Sequence, residues 1–192
     1  MRTFAAVLLL ALAGCSTTQV KDTWKDPAFA GPALKQVMVI GVSRSDTNRR
    51  AFEDGFTKAL ADAGVRASPT YPDLPGTAPI PHERILATVK QSGSDGVLVA
   101  RVLKRDVALT PSSGSQVSRQ GFGSYYRGAH VEMADFVDSY EVLTIEASVW
   151  NSASEKPVWT GTAQVTDPRN VAASTAELAK TLIARMKADG VI

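Results

Sequence analysis

The stretch Val37-Met38-Val39-Ile40-Gly41-Val42 decides the fold of this chain. It is a continuous apolar run rich in β-branched residues, which is typical of a strand buried on both faces of a sheet. The polar residues 43–46 that follow can cap a helix. Apolar side chains then recur at helical spacing as far as Gly64, which is well placed to end that helix in a left-handed conformation.

The alternation of strand and helix continues outward from this run. Residues 65–71 predict a second strand, and Pro69 places it near a sheet edge because proline lacks the amide hydrogen that a central strand needs. Pro81 can open a second helix. The apolar run from Gly96 to Leu103 begins a third and longer strand. Strands separated by helices are expected to be parallel neighbours joined by right-handed crossovers.

The last part of the chain has a different order. Apolar and polar residues alternate between Tyr140 and Trp150 and again over residues 157–165, which is typical of strands with one buried face. These two strands and the long strand before them can only form an antiparallel meander, which a final helix follows. We therefore predict an α/β fold: a single mixed β-sheet with element order β-α-β-α-β-β-β-α, helices packed on it, and one domain over residues 35–192.

The start of the chain has the composition of a secretory signal. Arg2 supplies a positive charge. The apolar core from Phe4 to Leu12 is much shorter than the roughly 20 residues that a membrane-spanning helix needs. Leu12-Ala13-Gly14-Cys15 resembles the lipobox of bacterial lipoproteins. That resemblance implies that residues 1–14 are removed as a signal peptide and that Cys15 is acylated.

The residues after the cysteine bear on where the protein is held. Ser16 follows Cys15, which is similar to an outer-membrane address in Gram-negative lipoproteins. Residues 15–34 are predicted to be the lipidated cysteine and a tether, because Ser16 to Asp22 is polar and has no period. We expect a protein attached to the outer membrane through the lipid on Cys15 and facing the periplasm.

Composition bounds the possible functions. A hydrophobic share of 44% with 21% charged residues is ordinary for a globular protein. The formal net charge is +2, and no basic stripe stands out, which argues against a nucleic-acid partner. Cys15 is the only cysteine, so the mature domain has no thiol left for a disulfide. Its stability must come from packing.

A second resemblance lies near the C-terminus. The segment from Tyr140 through Val158-Trp159-Thr160-Gly161-Thr162-Ala163 to the last helix resembles the C-terminal half of a group of uncharacterised bacterial lipoproteins, which have a similar V-W-x-G-T-A strand. The element order is also similar to the periplasmic domain of the penicillin-binding-protein activator lipoprotein LpoB and to the TolB N-terminal domain. Neither resemblance implies an activity.

Motifs for common enzyme chemistries are missing from the sequence. It contains no G-x-x-x-x-G-K-[ST], H-E-x-x-H, G-x-S-x-G or C-x-x-C. In an extended segment His130 and Glu132 would project to one side and, with Asp135 or Asp138, could hold a divalent metal or act as acid and base. A solvated acidic strand end is the favoured interpretation. We predict no catalytic residue, no metal site and no cofactor, and therefore no enzyme.

The long connection between Thr110 and Gly128 is the predicted binding site. It is rich in glycine and serine and has no period, and loops of such length are usually functional or disordered. The leading hypothesis is a lipid-tethered interaction module with a protein partner in the cell envelope. The alternative is a binder of a small ligand or cell-wall fragment, because aromatic faces beside an arginine suit sugars and anions; a hydrolase is less favoured. The candidate binding residues are Phe122, Tyr125, Tyr126 and Arg127.

Three further side chains are left open between alternatives. Arg49 and Arg50 fall in the first turn of the first helix, where the helix dipole disfavours cations. They are either a solvated pair or contacts for an anion or a partner. Trp24 is either a ring docked on the domain to fix the tether or an exposed contact for a partner.

We predict that Cys15→Ala leaves the chain as an unprocessed precursor, because acylation requires the thiolate as nucleophile. Metabolic labelling with a fatty acid, followed by membrane fractionation, measures this. A mature, soluble and unlabelled wild-type protein would contradict the lipoprotein interpretation.

Overall fold

The computed structural model describes residues 18–111, 137–168 and 170–192 of the chain. None of the helices in these ranges is long and apolar enough to cross a membrane. The elements are β1 Thr18–Lys25, β2 Gln36–Val42, α1 Asp46–Asp62, β3 Arg66–Pro69, α2 His82–Ser92, β4 Gly96–Pro111, β5 Val137–Asn151, β6 Lys156–Thr166 and α3 Val171–Ala188.

The strands form one sheet in the order β1-β6-β5-β4-β2-β3. β2 is parallel to both β3 and β4, whereas β4, β5, β6 and β1 pair antiparallel. The predicted single mixed α/β sheet is confirmed, including its parallel part and its antiparallel meander. The strand that contains Pro69 lies at the edge of the sheet, as its proline predicted.

The structure has one strand more than the sequence predicted. Residues 18–25, which were assigned to the tether, form β1 at the other edge, so the prediction of a tether over residues 15–34 was wrong there. An edge strand needs backbone pairing on only one side and few apolar side chains. Val20 pairs with Ala163 of β6, and a bulge before Asp22 interrupts the alternation. That bulge erased the period from the sequence.

The main core lies between one face of the sheet and the helices α1 and α3. It contains Phe52, Phe56 and Leu60, three of the apolar residues at helical spacing in α1, in one cluster with buried residues of β2, β5, β6 and α3. The two helices approach closely where Gly55 faces Thr175, since a Cβ at residue 55 would lie 2.9 Å from the Thr175 methyl carbon.

The opposite face of the sheet is covered only in part. Four buried hydrophobic residues of the described ranges lie outside the main core cluster: Met38, Ile40, Leu74 and Val89. Val89 belongs to α2, and right-handed crossovers place α2 on the side of the sheet opposite α1. Among the described residues, no helix packs over the corresponding face of β1, β6 and β5.

The V-W-x-G-T-A strand has a physical reason in this fold. The Trp159 ring is fully buried and lies along β6 over Gly161, where an added Cβ would be only 2.2 Å from the ring. The indole Nε1 donates a hydrogen bond of 2.8 Å to the Asp189 carboxylate at the end of α3. The glycine therefore makes room for the ring, and the ring ties α3 to the sheet.

We predict that Trp159→Ala lowers the free energy of unfolding by about 3–5 kcal/mol, because it removes a fully buried ring. Gly161→Ala should cost about 1–3 kcal/mol by overpacking the same site. In the double variant the alanine no longer meets the ring, so its loss should be smaller than the sum of the two single losses. Chemical denaturation measures all three, and additive losses would contradict the contact.

Candidate functional site

The candidate site residues from the sequence fall outside the described ranges. These are the lipidation site Cys15, the binding residues Phe122, Tyr125, Tyr126 and Arg127, and the less favoured His130 and Glu132. The structure does show where the second group is attached. Pro111 at the end of β4 pairs with Val137 at the start of β5, so residues 112–136 connect the two strands of one hairpin.

That hairpin extends well beyond the rest of the sheet. The last β2 residue, Val42, pairs with Arg101, and the last β6 residue, Thr166, pairs with Val142. Residues 107–111 and 137–141, called the arm here, pair with each other beyond those neighbours. A two-stranded ribbon gains little stability by itself in water. The stability of the arm therefore depends on the part of the sheet at its base.

A cleft of about 720 Å³ lies at the base of the arm. It is bounded by the inner side of β4 and β5 and by the first turns of α1 and α3, at the carboxyl end of β2. Open α/β sheets bind their ligands at such carboxyl ends. The floor is apolar and is formed by Phe52, Leu143, Ile145, Val165 and Leu178.

The rim of the cleft is polar and contains three arginines. Arg105 pairs with Glu141 at 2.8 Å, and Arg101 pairs with Glu146, a residue of the opposite side of the sheet, at 2.9 Å; both pairs are partly exposed to solvent. Arg44 is exposed, and among the described residues it has no hydrogen bond or ion pair. The rim is therefore mildly basic, with one arginine free to meet an anion.

The helix ends at the cleft already have caps. The Ser45 hydroxyl accepts a hydrogen bond from the Asn48 amide at the start of α1. The Asn170 side chain accepts one from the Ala173 amide at the start of α3. Within the described ranges, no three His, Cys, Asp or Glu residues are grouped so that they could hold a metal ion.

A buried ion pair supports the wall of the cleft. The Arg49 Nε and the Glu53 Oε1 are 2.8 Å apart, with side chains 3% and 0% exposed. Glu53 also accepts hydrogen bonds from the Gly41 amide at 3.1 Å and from the Thr70 hydroxyl at 2.8 Å. The amides of Thr70 and Tyr71 donate to its other oxygen at 2.6 and 2.7 Å.

The guanidinium of Arg49 is satisfied as fully as the carboxylate. It donates to the Thr70 hydroxyl at 3.1 Å and to the carbonyl oxygen of Gly76. Neither alternative that the sequence left open for Arg49 is therefore correct. Together with Glu53, the residue joins α1 to β2, to the end of β3 and to the following loop. Its spacing to Glu53 was the available signal, since residues four apart on a helix are neighbours.

Arg50 has a different environment from Arg49. It lies on the surface, 2.7 Å from Asp46, and its guanidinium stacks 4.8 Å from the centre of the Tyr71 ring. The hydrogen bond to Asp46 raises the pKa of Arg50. The hydrogen bond to Asp54 raises the pKa of the Tyr71 hydroxyl, so this phenol stays neutral at physiological pH. Arg50 is engaged locally.

A second candidate surface is the uncovered side of β1, β6 and β5, called the open face here. Trp24 and Trp150 are 45% and 37% exposed, and they are the two aromatic residues among the exposed large hydrophobic residues of the described ranges. Trp24 pairs with Thr160, and Ser148 hydrogen-bonds Thr160 across the next pair of strands at 3.2 Å. Trp24 is thus exposed, and the face consists of Asp22, Trp24, Glu146, Ser148, Trp150, Thr160, Thr162 and Gln164.

No protein-family model and no curated protein matches this chain. Among solved structures, a PelC dodecamer from Paraburkholderia phytofirmans has a TM-score of 0.50 at 13% identity, over 87% of this chain and 95% of that chain. A single-residue variant of that PelC gives 0.51 at 13% identity, over 87% and 96%. Lipoprotein GNA1162 from Neisseria meningitidis gives 0.47 at 14% identity, over 80% and 99%.

The likeness to PelC shows a shared fold and nothing further, because the identity is so low. The resemblance to lipoproteins with a V-W-x-G-T-A strand, and to LpoB and TolB, is tested by none of these matches and stays a prediction.

We predict that Arg49→Met lowers the free energy of unfolding by about 3–5 kcal/mol, because it leaves the Glu53 carboxylate buried without its cation. The matched control is Arg50→Met on the same helix, which removes an exposed pair and should change stability little. Urea denaturation compares the two. Similar losses for both variants would contradict the structural role of Arg49.

Proposed function

We propose that this protein is a lipoprotein held at the outer membrane through Cys15 and facing the periplasm, where its domain binds another protein of the cell envelope. The lipobox Leu12-Ala13-Gly14-Cys15 supports the anchor, and Ser16 supports the outer membrane. The domain acts as an interaction module and not as an enzyme. The proposal extends to the predicted loop residues Phe122, Tyr125, Tyr126 and Arg127, which would add contacts beside the domain.

The open face is the observation that carries the proposal. A sheet of parallel strands usually has both faces covered by helices. Here the three antiparallel strands β1, β6 and β5 have one face that no helix of the described ranges covers. Its threonine and serine side chains are partly exposed, and the two tryptophans on it are more exposed. Tryptophan is among the residues that most often dominate binding energy at protein interfaces.

Copies of this chain are one class of partner. The PelC structure that shares the fold is a dodecamer. The chain offers two features that suit assembly, the open face and the free edge of β1. An exposed strand edge presents unpaired backbone groups that can pair with another chain. The partner is then either a second copy or a different envelope protein.

A small-ligand binder is the second candidate, and the cleft favours it. Its volume of about 720 Å³ lies within the usual range for small-molecule sites. An apolar floor with Arg44 at the rim suits an amphipathic anion. The tryptophans of the open face have no part in that function, so the two candidates are separable by mutation.

We predict that a photocrosslinking amino acid at Thr162 on the open face captures a protein partner in living cells. The matched control is Thr181, an equally half-buried threonine on α3 at the other side of the sheet, which should capture none. Trp24→Ala with Trp150→Ala should abolish the Thr162 product while leaving the midpoint of unfolding nearly unchanged, because both rings are partly exposed.

The loop is tested in the same assay. Replacing Phe122, Tyr125, Tyr126 and Arg127 together by serine should weaken the crosslink without destabilising the domain. Loss of stability in that variant would mean that the rings are part of the core. Equal capture at Thr162 and Thr181, or none at either, would contradict a partner on the open face and leave the ligand-binding candidate.

A further inference from the structure

We propose that the end of the domain that carries the cleft rests on the phospholipid surface of the membrane that holds Cys15. This inference relies on the proposed lipid anchor and goes beyond it, because it assigns the face of the domain that contacts lipid. The contact is made by exposed apolar side chains at the cleft and at the base of the arm, together with the arginines between them.

The short distance between the anchor and β1 selects this end of the domain. Three peptide units separate Cys15 from Thr18, where β1 begins, and even fully extended they span only about 11 Å. Thr18 pairs directly with Val165, which forms part of the cleft floor. Paired strand residues are about 5 Å apart. The anchor must therefore enter the membrane close to the cleft.

The other end of the domain is too far from Cys15 to be the end that contacts the membrane. β1 has 8 residues and runs away from Thr18 to Lys25, which pairs with Trp159. At about 3.3 Å per residue its far end lies roughly 23 Å from the near end. The turn between β5 and β6 lies at that far end, beside the paired residues Gly96 and Asn151.

Exposed apolar side chains are concentrated at the near end. Of the seven large hydrophobic residues that are exposed in the described part of the chain, five lie on the cleft end or the arm, and the other two are the tryptophans of the open face. Val107 is 68% exposed and Val42 is 55% exposed. The other three are Val102, Leu103 and Val171. Such a group on one end of a domain marks an interaction surface.

The charged groups between these side chains suit a phosphate surface. Arg44 has no ionic partner in the described part of the chain, and a guanidinium matches phosphate oxygens in a bidentate geometry. Arg101, Lys104 and Arg105 are held in exposed pairs with Glu146, Asp106 and Glu141. Exposed pairs are weak, so these cations can turn to lipid phosphates. Basic residues near an anionic membrane surface are attracted to it.

The lipid contact fixes the orientation of the domain relative to the membrane. A lipid on a single residue leaves a domain free to rotate about its tether, whereas a second contact at the cleft end restricts that rotation. β1 then runs away from the membrane. The open face, which contains the outward side chains of β1, is therefore roughly perpendicular to the membrane plane. Its tryptophans lie at the end away from the lipid, where a periplasmic partner can reach them.

The test uses the mature chain beginning at Cys15, whose single thiol can be coupled to a maleimide-headgroup phospholipid. The vesicles contain phosphatidylglycerol and brominated phosphatidylcholine, which quenches tryptophan at the lipid surface. Tryptophan is introduced as Val107→Trp or Val42→Trp at the near end, or as Ala153→Trp in the far turn as the matched control. All three sites are exposed, and near-ultraviolet circular dichroism checks the fold of each variant.

We expect the added fluorescence of Val107→Trp and Val42→Trp to be lost on the brominated vesicles and that of Ala153→Trp to be retained. Equal quenching at the two ends, or no quenching at the near end, would overturn the proposal. Neither result affects fatty-acid labelling of Cys15 in cells, so failure of this inference is distinguishable from failure of the lipoprotein proposal.

The role of the cations is tested in the Val107→Trp background. Arg44→Glu with Arg105→Glu should restore the fluorescence on these vesicles. The matched control is Lys90→Glu with Lys156→Glu, which makes the same change of charge at the far end and should leave the quenching intact. Identical quenching in the two double variants would overturn the contribution of the arginines to the contact.

Discussion

The buried pair of Arg49 and Glu53 is the interaction on which the rest of the structure depends. Removing two charges from water is costly, and only a full set of hydrogen bonds offsets that cost. Here the set comes from the Gly41 amide on β2, the Thr70 and Tyr71 amides after β3, and the Gly76 carbonyl. Helix α1 is therefore held in one position relative to two strands and a loop. Because α1 also bounds the cleft, the shape of the cleft follows from this pair.

The sequence predicts those elements of the fold whose burial produces a periodic pattern of apolar residues. It does not predict the features that depend on backbone pairing or on polar contacts between distant segments. Val37 to Gly41 and the stripe with Phe56 are evident because these residues are buried. β1 was missed because an edge strand with a bulge needs no such pattern. Glu53 was missed because its partners come from distant segments, and the cleft likewise joins residues of β4, α1 and α3 that only the fold brings together.

The surfaces to which we assign the proposed contacts lie in different parts of the domain. The cleft end lies beside the start of β1, which follows Cys15 closely in the sequence, the open face extends along the side, and the two exposed tryptophans lie toward the far end. The low-identity likeness to PelC adds that the same fold can exist in large assemblies without assigning this chain a role. What the domain binds is then determined by side chains that no fold likeness supplies.

The pairing of β1 with β6 also has a consequence for the biogenesis of the protein. Thr18 emerges early from the ribosome, yet its partner Val165 is among the last parts of the chain to be made. The end of α3 closes over the same strands, where Lys25 donates a hydrogen bond to the Asp189 carbonyl. Contacts between such distant segments form slowly, because a long loop must close before any contact is gained. The sheet is completed only after nearly the whole chain has been synthesised, and on the proposed export of this protein that delay would keep the polypeptide unfolded during translocation.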